Sequence, residues 1–265
     1  MRYKHIAVLL VLLLAALPLG AQVWQVYDNF NSDHINPALW VSKWGVCENA
    51  LDCERQTRIG WLQLRMRGYG LNITDPNDPR LNQQNWALNN LDVADPAGIV
   101  GIGATLVVTR DSGSPTMGYQ LGQFVLRATF FSGVSQPQEN RDVEANISVG
   151  GGGGNNQLSV GALVNKMGPQ LETLGSADLG TVHVGEPITI WLRWDKAGHR
   201  FLYGLQRLLP NQTVVKEISY NTSDAFFPPL YPYRSVQLQT SPPNLLGSQS
   251  FSDWAVTITR VIVLR

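Results

Sequence analysis

The chain contains few charged residues and few of the side chains that bind metals. Charged residues make up 15% of its 265 residues, and 20 Lys and Arg balance 20 Asp and Glu. This composition excludes a basic nucleic-acid-binding protein, an acidic tail and a disordered chain. The chain has two cysteines and four histidines, and no histidine lies beside a cysteine, so no zinc site is indicated. With 44% hydrophobic residues, the chain is expected to fold around a core.

The one long hydrophobic run lies at the N-terminus. Arg2 and Lys4 precede an apolar run from Ile6 to Leu17, and this run is shorter than the roughly 20 residues that cross a bilayer. We interpret residues 1–21 as a secretory signal peptide and residues 22–265 as a single exported domain. The sequence therefore predicts a secreted protein, extracellular or periplasmic, with no membrane span after signal removal and no nucleic-acid partner.

If the protein is exported, its two cysteines can form a disulfide. Cys47 and Cys53 are close in sequence, and an oxidising compartment favours a disulfide between them. The alternative is two free buried thiols. A disulfide between Cys47 and Cys53 is the prediction.

The exported part alternates apolar and polar residues over short runs separated by Gly, Pro, Asn and Asp. This period of two predicts β-strands, and the clearest runs span 62–66, 104–108, 124–130, 143–149, 158–164 and 188–194. The best helical candidate, Leu81 to Leu91, would form at most a short surface helix. Gly150 to Gly154 is expected to connect two neighbouring strands. The predicted fold is all-β, a two-sheet antiparallel jelly-roll sandwich of about twelve strands.

Four segments resemble the concanavalin A-like lectin/glucanase superfamily. They are Val26–Phe30 followed by Pro37–Trp40, the Gly-x-Phe-x-x-Arg segment Gly122–Ala128, the segment Ile190–Trp194, and the closing segment Trp254–Val261. The resemblance spans most of the exported chain and implies a jelly-roll sandwich. It bears on the fold far more than on chemistry.

Laminarinase-type members of that superfamily carry Glu-x-Asp-x-Glu on one strand, where alternate side chains share a face. The corresponding segment here runs from Asn140 to Asn146, and in either register one of these two asparagines replaces a catalytic carboxylate. An amide can neither form a glycosyl ester nor donate the proton. Asp142 and Glu144 remain as weak catalytic candidates. A solvated strand face, an altered hydrolase site and a row of sugar-binding groups are the open alternatives.

Strand alternation also predicts side chains that point away from the core. Trp61 and Trp191 have the opposite phase to their apolar neighbours, so both indoles should leave the core side. The polar phase of the strands holds Arg127, Asp142, Glu144, Asn146, Arg193, Gln237 and Gln239. If several of these residues share one sheet, they form a groove suited to the hydroxyls and apolar faces of a glycan. Packing of both indoles under loops is the alternative.

Acidic loops supply the candidate metal ligands. Asp75, Asn77 and Asp78, together with Asp92 to Asp95, offer oxygen atoms of the kind that calcium prefers. Superfamily members often hold a structural calcium, so calcium is the cofactor candidate that the resemblance implies. Turn formation by Asp and Asn is the alternative explanation.

Three functions are consistent with this sequence. The first is a secreted, lectin-like protein that binds an extracellular glycan or polysaccharide without cleaving it. The second is a glycoside hydrolase or polysaccharide lyase of the same fold. The third is a structural or adhesive envelope protein. The first of these is the prediction.

Overall fold

A computed structural model of the chain describes residues 22–42, 46–48, 52–114, 121–134, 140–151, 156–225 and 228–265, with only the backbone at 46–48. These residues form strands, turns and loops, and no helix occurs among them. It follows that none of the described segments is a helix long and apolar enough to cross a membrane. The predicted signal peptide, residues 1–21, lies outside the described residues and stays a prediction.

The described residues form nineteen strands. In chain order they are β1 (Trp24–Asp28), β2 (Trp40–Val41), β3 (Val46–Glu48), β4 (Asp52–Arg58), β5 (Trp61–Tyr69), β6 (Asn72–Ile73), β7 (Ala87–Val93), β8 (Gly101–Gly113), β9 (Gly122–Ser132), β10 (Asp142–Gly151), β11 (Gln157–Lys166), β12 (Glu172–His183), β13 (Pro187–Asp195), β14 (Arg200–Arg207), β15 (Gln212–Ser219), β16 (Arg234–Thr240), β17 (Asn244–Leu246), β18 (Ser248–Gln249) and β19 (Phe251–Leu264).

Two eight-stranded sheets hold most of these strands. Sheet A has the order β15-β14-β13-β8-β19-β5-β4, with β1 also paired to β19. Sheet B has the order β12-β11-β10-β9-β16-β7-β2, with β3 also paired to β7. All pairings within these two sheets are antiparallel, and a small third sheet joins β18, β17 and β6. The predicted all-β, two-sheet antiparallel sandwich is confirmed.

The core lies between the inner faces of the two sheets. In β5 and β13 every second residue is buried, as the alternation predicts, so Leu62, Leu64 and Leu192 are fully inaccessible to solvent. Trp254 from sheet A and Phe124 from sheet B are equally inaccessible. Burying large apolar side chains stabilises the fold by about 1.5–3 kcal/mol each.

Two details of the prediction need correction. The segment Leu81 to Leu91 forms no helix, because its second half belongs to β7, which pairs with β16 inside sheet B. The structure also contains more strands than the predicted dozen, since strands of two or three residues are too short to show alternation. The glycine-rich segment does join two neighbouring strands, β10 and β11, although residues 152–155 lie outside the described part.

The disulfide prediction is not tested. The side chain of Cys47 lies outside the described residues, so its pairing with Cys53 stays a prediction.

Candidate functional site

The outer face of sheet B carries a row of polar side chains from three adjacent strands. In β9, β10 and β16 the inner positions are apolar, so the intervening positions point away from the core. The pairing register then aligns the outer residues. Arg127 lies opposite Asn146 on one side and Ser235 on the other, and Gln123 lies opposite Gln239.

An ion pair occupies the middle of this row. Arg127 Nη2 donates to both carboxylate oxygens of Glu144, at 3.0 and 2.8 Å, and Arg127 Nε donates to Oε1 at 3.2 Å. Asn146 Nδ2 donates to the same Oε1 at 3.3 Å, and the hydroxyl of Tyr233 donates to Oε2. The side chain of Glu144 is only 2% exposed, so these four donor groups replace water around a buried carboxylate.

A chain of amides extends the row from the ion pair. Arg127 Nη1 donates to Gln237 Oε1 at 3.3 Å, and Gln239 Nε2 donates to the same oxygen at 2.8 Å. Gln123 Nε2 in turn donates to Gln239 Oε1 at 2.6 Å. Each amide is therefore held in one orientation by its neighbours, which presents a fixed pattern of donors and acceptors.

Burial and the charges of the recess together set the protonation of Tyr233 and Arg127. Burial raises the pKa of Tyr233 well above its usual value, and the negative charge of Glu144 raises it further. Burial alone would lower the pKa of Arg127, but the charge and hydrogen bonds of Glu144, together with the nearby Tyr233 and Asp92, outweigh burial and raise it. At neutral pH, Tyr233 therefore remains a hydrogen-bond donor and Arg127 remains charged.

Two adjoining clefts open on this face and share Arg127 in their walls. The first, of about 200 Å³, we name the amide cleft; it is lined by Gln123, Arg127, Glu144, Asn146, Asn165 and Gln239, with Val125, Ser148 and Leu163. The second, of about 410 Å³, we name the tyrosine cleft; it is lined by Asn90, Asp92, Arg127, Tyr231, Tyr233 and Gln237, with Leu88, Asn140, Met167 and Ser235. Together they form a recess across β7, β16, β9, β10 and β11.

Asp142 holds a loop in place by hydrogen bonds and lines neither cleft. Its carboxylate accepts the backbone N–H of Leu230 at 2.8 Å and that of Tyr231 at 2.7 Å. Burial raises the pKa of Asp142, and these two hydrogen bonds partly offset the rise. The structure therefore separates the roles of Asp142 and Glu144, because Asp142 fixes the loop that carries Tyr231 while Glu144 lies in the recess.

The two predicted aromatic residues lie on the other sheet. Trp61 and Trp191 do leave the core side, as predicted, but they project from the outer face of sheet A together with Arg193. Trp191 packs edge-on against Trp24 with ring centroids 6.1 Å apart. The guanidinium carbon of Arg58 lies 5.7 Å from the centroid of the Trp61 ring. The single groove that would combine these indoles with the polar row does not form. Alternation reveals which face of its own strand a residue occupies, but not which sheet the strand joins.

The candidate metal ligands are engaged in turns. Asp78 forms a paired contact with Arg80, at 3.0 and 2.7 Å, and Asp75 Oδ1 accepts the N–H of Asn77 at 2.9 Å. The pKa of Asp78 falls to about 2 because Arg80 donates to its carboxylate. In the described ranges, no group of three or more His, Cys, Asp or Glu side chains is placed to hold a metal ion.

Several residues of the recess were not predicted from the sequence. Gln123 and Asn165 have the opposite phase to Phe124 and Val164, so alternation contained the signal that identifies them. Tyr231 and Tyr233 precede β16 in a proline-rich loop, where no periodic pattern exists. Only the fold brings them to the polar row.

Comparisons with solved structures find proteins of low sequence identity to this chain. The CBM2 module of the evolved Dit protein of Lactobacillus casei BL23 phage J-1 is 12% identical, with 90% of this chain and 97% of that chain covered and a TM-score of 0.42. A GlcNAcα1-4Gal-releasing endo-β-galactosidase from Clostridium perfringens is 9% identical, with a TM-score of 0.49; 93% of this chain but only 63% of that chain is covered. Basic winged bean lectin with Tn-antigen is 10% identical, with 90% of this chain and 99% of that chain covered and a TM-score of 0.38.

These three proteins are at most 12% identical to this chain, and their TM-scores all lie below 0.5. At such identities and TM-scores they carry no argument about chemistry. No family model and no curated protein matches the chain.

Proposed function

We propose that the protein is secreted and binds a carbohydrate on the outer face of sheet B without cleaving it. The observation that supports this proposal most strongly is the continuous hydrogen-bonded row across β10, β9 and β16. Its members are Glu144, Arg127, Gln237, Gln239 and Gln123. Orienting five such side chains costs conformational entropy, and a sheet face exposed only to water would not require it.

The chemistry of the two clefts matches a sugar. Amide and carboxylate groups in fixed orientations bind hydroxyl groups, and the rings of Tyr231 and Tyr233 offer flat apolar surfaces for the faces of a pyranose. Asn90 Oδ1 is buried in the tyrosine cleft and accepts no hydrogen bond from any described residue. A ligand hydroxyl would satisfy this oxygen. Arg127 is neutralised by Glu144, so the recess suits an uncharged sugar.

A panel of immobilised polysaccharides tests the proposal. The wild type is expected to be retained by at least one neutral polysaccharide. Gln239→Ala is expected to weaken that retention about tenfold, because the hydrogen bond of Gln239 to the sugar is lost and Gln123 and Gln237 lose the partner that orients them. Gln63→Ala is the matched control, since Gln63 is a strand glutamine on the outer face of sheet A. Equal losses in the two variants, or no retention of the wild type by any polysaccharide, would contradict the proposal.

A glycoside hydrolase is the second candidate, and one observation favours it. Each cleft contains one carboxylate, Glu144 in the amide cleft and Asp92 in the tyrosine cleft, with Arg127 between the two clefts. Hydrolysis requires two carboxylates on either side of the scissile bond. Release of reducing sugar from a retained polysaccharide, abolished by both Glu144→Gln and Asp92→Asn, would establish this candidate. Retention without release supports binding alone.

A further inference from the structure

A buried arginine, Arg234, begins β16 and lines neither the amide cleft nor the tyrosine cleft. Arg234 is 4% exposed, and the centre of its guanidinium lies 4.2 Å from the centroid of the Phe130 ring. Its Nε and Nη2 donate to the carbonyl of Ile99 at 3.1 and 2.6 Å, and its Nη1 donates to the carbonyls of Tyr233, at 2.8 Å, and Thr129. The neighbours of this cation within the described chain are thus carbonyl dipoles and an aromatic face.

Among the described residues, the guanidinium of Arg234 has one N–H without an acceptor and no counter-ion. An arginine side chain has five N–H groups, and the four contacts above use four of them. Neither a carboxylate nor a further acceptor contacts Arg234 in the part of the chain that the structure describes. Burial lowers the pKa of Arg234 to about 9, so the group is still charged at neutral pH. A buried charge without a partner of opposite sign is destabilising.

Arg234 forms part of the wall of an apolar pocket. This pocket, which we name the proline pocket, has a volume of about 480 Å³ and is lined by Ile99, Trp194, Pro228, Pro229, Pro232 and Arg234, among others. It has the size that small organic ligands occupy in proteins. Arg234 is the one cation among the described residues that line this pocket, and none of them also lines the amide or tyrosine cleft.

One acidic side chain also lies at this pocket. Asp95 is exposed at the rim, and its Oδ1 accepts the N–H of Ala97 at 3.1 Å. Water screens an exposed carboxylate, whereas the cation of Arg234 is buried and acts through a medium of low dielectric constant. The pocket therefore combines a buried positive charge, which attracts an anion, with apolar walls, which attract an apolar group.

We propose that the proline pocket binds a small monocarboxylate with an apolar body, whose carboxylate accepts the remaining N–H of Arg234. The apolar body lies against the prolines and Trp194, and the carboxylate supplies the counter-charge that the described protein lacks. Phosphate and sulfate fit poorly because the walls are apolar and offer them a single free donor. The ligand class is thus a short fatty acid or an aromatic acid. This site is separate from the proposed glycan site.

The wild-type protein tests this inference, because Trp194, one of its eight tryptophans, lines the pocket and contributes to the fluorescence. We would titrate octanoate and phenylpropionate, each beside its primary amide, and measure Trp fluorescence and the melting temperature. The acids are expected to give a saturable fluorescence change, a higher melting temperature and at least about tenfold tighter binding than the amides. Equal affinity of acid and amide would overturn the role of Arg234. The absence of any saturable signal from either acid would overturn the site.

A variant adds a second readout. Arg234→Met is expected to remove the preference for the acid and leave weak binding of the amide through the apolar walls. An undiminished preference for the acid in a folded Arg234→Met protein would contradict the assignment. If the variant does not fold, the comparison of acid and amide on the wild type decides the question alone.

Discussion

Arg127 and Glu144 form a multiply hydrogen-bonded ion pair across neighbouring strands of sheet B, with Arg127 Nη2 2.8 Å from Glu144 Oε2. This pair lies where the amide cleft and the tyrosine cleft meet. It also fixes the side-chain amides of β16, because Arg127 donates to Gln237 and Gln239 donates to the same oxygen. The pair is therefore both a structural element and the centre of the proposed binding surface.

Glu144→Gln should destabilise the protein by about 2–4 kcal/mol, because it leaves the largely buried charge of Arg127 without its partner. The double variant Arg127→Met with Glu144→Gln should be less destabilised than the sum of the two single variants, since no unpaired charge remains. Urea unfolding of the four proteins measures this coupling. Strict additivity would show that the pair contributes nothing specific.

Gly204→Ala should destabilise the protein by about 1–3 kcal/mol through overpacking. A Cβ at Gly204 would lie 2.0 Å from Cε2 of Trp191, whose indole covers this glycine on the outer face of sheet A. The indole must shift, and its edge contact with Trp24 is lost.

Gly161→Ala is the matched control, because Gly161 also lies inside a strand but its added Cβ would meet nothing closer than 3.9 Å. This variant should be neutral or gain about 0.5 kcal/mol by restricting the unfolded chain. Thermal melting and Trp fluorescence report both effects. A Gly204→Ala protein as stable as Gly161→Ala would contradict the placement of Trp191.

Asp253→Asn should reduce stability at neutral pH by about 2 kcal/mol, with the difference shrinking in acid. The carboxylate of Asp253 accepts hydrogen bonds from Arg65, Arg67 and Arg110 at 2.9–3.3 Å. Burial alone would raise the pKa of Asp253, but the arginines outweigh it and lower the pKa below its usual value. A lowered folded pKa means that the carboxylate stabilises the fold above the unfolded pKa of about 3.9 and loses this contribution as the pH falls through the folded value.

Urea unfolding of the wild type and Asp253→Asn between pH 7 and pH 2.5 measures that dependence. Asp75→Asn serves as the control, since Asp75 is exposed in a turn where Asn can accept the same backbone N–H. The stability difference for Asp253→Asn should narrow below about pH 4. A difference that stays constant with pH would assign the effect to packing instead of charge.

The sandwich was predictable because its signal is local. Leu62, Leu64 and Leu192 are buried where alternation placed them, since the pleat of a strand fixes which side chains face the core. Short strands such as β2 and β6 were missed because two residues cannot display a period. The strand β7 was missed because its Asn-rich sequence has low β propensity and pairing with β16 overrides it.

The site was only partly predictable because it depends on long-range pairing. Arg127, Glu144, Gln237 and Gln239 were expected on the polar phase of their strands, and the order β10-β9-β16 brings them together. The same reasoning gave Trp191 a correct phase, but β13 belongs to sheet A.

Tyr233 reaches Glu144 from a loop without regular structure. In β9, a register irregularity buries both Phe130 and Phe131, which a strict period of two does not permit. Neither feature has a signature in the sequence.

The most direct test uses the side-chain amides of the recess as probes. Asn146, Asn165, Gln123, Gln237 and Gln239 carry NH₂ groups in or beside the two clefts, whereas Gln63 and Gln206 carry theirs on sheet A. We would record ¹⁵N–¹H spectra while adding an oligosaccharide from the retained polysaccharide. The account predicts saturable shifts of the five recess amides, with Gln63 and Gln206 unmoved. Shifts confined to Gln63 and Gln206, or none at saturating oligosaccharide, would contradict it.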